Sequence, residues 1–208
     1  MTGGPMTGRA GRLALTGRLA TARRAVELLD RKQQALAVES ERLQLAAARA
    51  AETFEQEARV ASQWLRRSTA LDGQRGLSAA IPDGTAEVII GYQATMGVRH
   101  PTRTDVRFAP RTEPAGSSAL SYAVQAHRAA VVAAVNLAAA RRAATLVADE
   151  LELTRQQQRA LEVRWIPKLD RRLAELEQRL DEVEREENLR LRWAARGAAA
   201  TASTGEDR

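Results

Sequence analysis

From Leu15 onward the chain places a seam residue at alternating steps of four and three for twelve successive positions: Leu15, Leu19, Ala22, Val26, Leu29, Gln33, Leu36, Ser40, Leu43, Ala47, Ala50 and Phe54. Ten of these are apolar and none is charged, while Arg18, Arg23, Arg24, Glu27, Asp30, Arg31, Lys32, Glu39, Glu41 and Arg42 all fall off the seam. Such an alternation averages 3.5 residues, so one stripe of a slightly underwound helix stays against a partner helix over many turns. Neither Pro nor Gly interrupts the run after Gly17 until Gly73. Residues 12–71 are therefore expected to form one long coiled-coil helix, on the order of 85 Å at ~1.5 Å per residue.

A second helical segment is predicted over 118–194. It is alanine-rich through Ala148, and small residues let helices approach closely. The heptad pattern returns at Ile166, Leu169, Leu173, Leu176, Leu180 and Val183. Beyond Val183 the frame lands on Glu187 and Arg190, a stutter that locally unwinds a supercoil. Pro167 lacks an N–H and clashes with the preceding turn, so a kink is expected between Val163 and Pro167.

Between these segments, residues 72–117 hold glycines at 73, 76, 84, 91, 97 and 116 and prolines at 82, 101, 110 and 114, and helical periodicity stops. Thr85 to Tyr92 is rich in β-formers and bounded by glycines, so it reads as a strand, with a second extended piece within Gly97 to Phe108. The expected fold is all-α dominated: a long antiparallel two-helix coiled coil with a small central β-hairpin insert. Both termini then lie at one end and the hairpin at or near the other. Residues 1–11 are expected to be a flexible N-terminus and 195–208 a disordered tail.

Composition sets limits. Aromatics are only 3% of the 208 residues, too few for a thick globular core. There is no cysteine, which excludes disulfides, thiolate metal sites and cysteine nucleophiles. The net charge of +6 is spread along the chain and interleaved with acids, which suits a solvated helix surface more than a nucleic-acid footprint. The longest uncharged apolar stretch, Ala129 to Ala140, falls short of the ~20 residues of a bilayer span. No hydrophobic run follows the basic N-terminus, so no secretory signal is expected.

No catalytic, cofactor-binding or metal-binding constellation is legible. His100 and His127 lack a neighbouring ligand at metal spacing, and each reads as structural or exposed. The acidic run Asp181 to Glu187 interleaves with Arg179, Arg185 and Arg190, as surface ion pairs do. Trp64, Trp165 and Trp193 read either as interface anchors or as fillers of the coiled coil.

Three stretches together resemble the D subunit of the V-type (V/A-type) ATPases and ATP synthases. They are Leu19 to Leu36, with its paired leucine and basic run; Ala94-Thr95-Met96-Gly97-Val98-Arg99-His100-Pro101; and Thr154 to Glu162 followed by Ile166-Pro167-Lys168-Leu169 and Glu184 to Glu187. The similarity runs from about Arg9 to Trp193. It implies a central-stalk rotor component without catalytic residues or cofactors, coupling ATP turnover to rotation of the membrane ring and ion transport. The end bearing the termini would enter the catalytic hexamer of A and B subunits, with Arg9, Arg12, Leu189, Arg190, Arg192 and Trp193 facing that head. The insert, with Val88, Ile89, Ile90, Met96, Gly97 and Val98, and its flanking helix would meet the stalk's F subunit and the C-subunit socket on the ring. The chain would then be cytoplasmic, reaching the membrane only indirectly and binding no nucleic acid. A non-rotary coiled-coil scaffold, such as an export chaperone or adaptor, shares the heptads but not the Met-Gly-Val and Ile-Pro-Lys-Leu elements in order.

Overall fold

The computed structural model describes residues 8–81, 84–110 and 116–205. Helix α1 runs Gly8–Ala79, its helical path broken at Gly73. Strands β1, Glu87–Thr95, and β2, Val98–Arg107, form an antiparallel hairpin. Helix α2, Ser118–Ala160, leads through one turn of π-helix, Leu161–Trp165, into α3, Ile166–Gly205. This is the helix-dominated fold with a central hairpin that the heptads and the glycine-bounded strand predict. The chain divides into two compact units, one of Met1–Asp30 with Gln156–Arg208 and one of Arg31–Arg155.

In the first unit the start of α1 runs antiparallel to α3. Leu15, Leu19 and Ala22 pack on Leu169 and Leu176, with Ile166, Leu173 and Leu180 against them. Arg9 pairs with Glu184 at 3.0 Å and Arg23 with Asp170 at 3.4 Å, so later α1 residues meet earlier α3 residues. Val26 and Leu29 are half-buried. Val183 continues the seam in sequence but is 50% exposed. At its level α1 offers Arg9, Ala10 and Gly11, none of them a large apolar partner. Ahead of Pro167 the Ile166 N–H bonds to the Leu161 carbonyl, a five-residue step. Widening the turn by one residue relieves the clash that a proline ring imposes on the carbonyl four residues back.

In the second unit the rest of α1 and α2 are antiparallel, tied by Lys32–Glu150 at one level and Asp72–Ser117 at the other. Asp72 accepts the Ser117 backbone N–H at 2.8 Å and its hydroxyl proton, and the Ser117 hydroxyl accepts the Leu120 N–H at 3.3 Å, capping α2. Gly116, just before this cap, has φ 149°, a backbone conformation that favours glycine. Leu36 and Leu43 pack on Ala143, Val147 and Leu151. The remaining buried positions of α2 are largely alanines: Ala119, Ala123, Ala126 and Ala133.

The hairpin does not project from the Asp72–Ser117 end. It folds back along the two helices, so that Val98 packs on the Leu36–Val147 cluster and Met96 and Gly97 lie beside Lys32 and Glu150. A hairpin at or near the Asp72–Ser117 end is expected; its base lies there, with Ala86 and Phe108 beside Leu77 and Leu120, while its turn reaches the level of Lys32. Val98 and His100 supply the surface to be buried, and the connections on either side are long enough to allow the return.

Two expectations change. Helix α3 continues to Gly205, where a disordered tail from residue 195 was expected; Ala194, Ala195, Ala198, Ala199 and Ala200 favour helix. Residues 1–7 and 206–208, also expected to be flexible, lie outside the described residues, as do 82–83 and 111–115 of the insert. By length and composition alone, one stretch of the helical run Ser118–Arg196 is apolar enough to cross a bilayer. Within that run the longest uncharged stretch lies between Arg128 and Arg141.

Candidate interaction surfaces

The hairpin turn is built from Met96 and Gly97, with Thr95 paired to Val98 across it. Both central residues have positive φ, 49° and 86°. These are the signs of a type I′ turn, whose twist matches that of the strands it joins. The Met-Gly-Val element is thus a turn signal, with Val98 the first residue back into the packed face.

His100 is fully buried. Its Nε2 lies 3.2 Å from the Thr95 hydroxyl and 3.4 Å from the Gln93 amide nitrogen, and its Nδ1 3.3 Å from the Pro101 carbonyl. A proton on Nδ1 satisfies all three, with Nε2 as acceptor. Glu39 of α1 stands 3.9 Å from Nε2 and takes both its hydrogen bonds from Arg42, at 2.8 and 2.6 Å. Those bonds hold the Glu39 carboxyl below its ordinary value, against the effect of burial, and raise the Arg42 guanidinium. His100 is therefore a structural residue that ties the two strands of the hairpin together, buried beside Glu39 of α1.

Strand β1 forms the outer edge. Val88, Ile89 and Ile90 are 39–42% exposed, and Tyr92 lies under the Arg99 guanidinium at 4.7 Å. A register shift falls between Gly91 and Tyr92, where Thr102 is left over on β2. From Val88 to Thr95 the strand carries no charge, and such a strand with an unpaired edge is an adhesive surface.

A second cluster lies between α1 and α2. Trp64 stacks on Tyr122, centroids 4.8 Å apart and planes 25° off parallel, with Arg67 over the Trp64 ring at 4.7 Å. The sequence marks Trp64 as a candidate anchor but gives no reason to pair it with Tyr122, 58 positions on and across the insert. Trp165 is 46% exposed on the π-turn, its ring beside Leu29 and Leu161.

At the tip of the first unit every side chain of α3 from Asp181 to Arg196 is exposed. Leu189, Leu191 and Trp193 are 52–72% exposed, and Arg190 pairs with Glu186 at 3.6 Å. Arg12 and Arg192 are exposed, and Arg9 is held to Glu184. Beyond Glu187 this surface is apolar and basic, with the makings of a protein contact: large apolar groups, arginines, and no competing core. Among the described residues no three His, Cys, Asp or Glu side chains gather where they could hold a metal ion.

The family model for the D subunit of ATP synthase matches residues 12–196. No curated protein matches the chain.

Proposed function

We propose that this chain, which belongs to the family of ATP synthase D subunits, is the central-stalk rotor of a V/A-type rotary ATPase or ATP synthase. In this reading it couples ATP hydrolysis or synthesis in the catalytic head to rotation of the membrane ring and ion transport, and performs no chemistry itself. The observation that carries the reading is the antiparallel pairing of Leu15 and Leu19 with Leu169 and Leu176, beside an exposed tip. A pair of helices has no threefold symmetry. It offers a different face to each of three equivalent catalytic sites, and turning it changes which site is favoured to close through differential contacts. Torque requires resistance to twisting, which an interlocked apolar seam supplies.

The tip residues Arg9, Arg12, Leu189, Arg190, Arg192 and Trp193 are assigned to the A/B hexamer. The hairpin edge Val88, Ile89 and Ile90 and the helices of the second unit are assigned to the stalk's F subunit and the C-subunit socket. The chain then works in the cytoplasm, peripheral to the membrane through its complex.

The test is reconstitution with A, B, C and F subunits, followed by single-particle rotation under ATP. The wild-type chain is expected to assemble and turn. The variant with alanine at all six tip positions is expected to keep the F subunit while losing head binding and rotation. Unchanged rotation in that variant overturns the assignment of the tip; failure of the wild-type chain to join A and B overturns the rotor role.

A further inference from the structure

The second unit holds an open cavity of about 400 Å³ between the start of α2, the segment beyond Gly73 and the base of the hairpin. Leu77, Ile81, Phe108, Leu120 and Val131 are among the larger apolar side chains that line it. Ligand pockets commonly fall in the range of roughly 300–1,000 Å³ and combine such a wall with a few placed polar groups. Here the polar groups are both basic. His127 uses Nδ1–H to donate to the Ala123 carbonyl at 2.8 Å, so its Nε2 is an acceptor and the cation available to a ligand is Arg128. Arg128 lies over the Phe108 ring at 5.2 Å and donates one N–H to the Ala109 carbonyl at 3.4 Å, which leaves most of its donors unused. Among the described residues the wall contains no carboxylate, and α2 carries none from Ser118 to Ala148.

We infer that this cavity binds a single-chain amphipathic carboxylate, a medium-chain fatty acid, with its chain against Leu77, Phe108 and Leu120 and its head on Arg128. Charge complementarity selects the anion. Size selects one chain, because the paired tails of a phospholipid exceed the space. The inference does not depend on the rotary role.

Calorimetric titration of the full chain with decanoate and with decanol tests it. Decanoate is expected to saturate at one molecule per chain, with decanol at least about tenfold weaker, since a hydrogen bond to a charged group is lost. Arg128→Gln is expected to bring decanoate down to the decanol level and leave decanol unchanged. Ala86→Trp, at an exposed wall position, is expected to fill the space and weaken both. Should circular dichroism show Arg128→Gln misfolded, Arg128→Lys takes its place, and decanoate is then expected to stay within a few-fold of wild type. Equal affinity for the two probes, non-saturating uptake, or decanoate binding indifferent to Ala86→Trp overturns the inference, because the probe is then coating exposed apolar helix rather than entering a site.

Discussion

Individual side chains along the seam differ sharply in what they hold. Leu36 is fully buried in a cluster with Val147, whereas Val183, at an equivalent heptad position, is half-exposed. Leu36→Ala is expected to cost about 2–5 kcal/mol, since it removes buried methyls and leaves a cavity. Val183→Ala is expected to stay within about 0.5 kcal/mol. Urea unfolding of the two variants distinguishes them. Glu39 adds a pH dependence. Its carboxyl is held low by the Arg42 hydrogen bonds, so its contribution is complete above its ordinary value of about 4.3 and is lost as pH falls through the lower folded value. Melting temperatures measured from pH 6 to pH 3 are expected to fall less steeply in Glu39→Gln than in wild type.

Elements were legible to the degree that their patterns were pure. The heptads of α1 and α3 stand out because leucine alternates with charge, and the antiparallel pairing follows from two such stripes on one chain. The stripe of α2 keeps similar spacing in Ala119, Ala123, Ala126 and Ala133, but alanine on both faces leaves no contrast to read. The hairpin was legible as strands and a turn; its return along α1 and α2 was not, because that depends on Val98 and His100 finding partners at Leu36 and Glu39, far off in sequence. The tryptophan stack and the basic cavity escaped for the same reason. Met96 and Gly97 carry the tightest local requirement. A β-branched side chain at φ 86° is costly, so Gly97→Val is expected to lower stability by roughly 1–2 kcal/mol. Calorimetric melting, read beside Gly17→Val as a control at a helical position, checks it.

For the molecule as a whole, the family membership implies other subunits, and the exposed large apolar groups are where we propose that they bind. Residues 181–196 of α3 make no buried contact, so their amides are expected to exchange with solvent faster than those around Val147, by at least about a hundredfold. On assembly with A and B subunits that stretch is expected to become protected, and hydrogen-exchange mass spectrometry of free and assembled chain reads both states. The clasp of Asp72 on Ser117 also bears on the order of folding. It joins residues 45 apart, while Lys32–Glu150, Arg23–Asp170 and Arg9–Glu184 join residues 118, 147 and 175 apart. Closing the shortest loop first leaves each later pair only a small remaining gap to bridge. A chain synthesised from its N-terminus therefore carries its first helix unpaired until the clasp and α2 emerge, and the earliest residues made are the last to find their place.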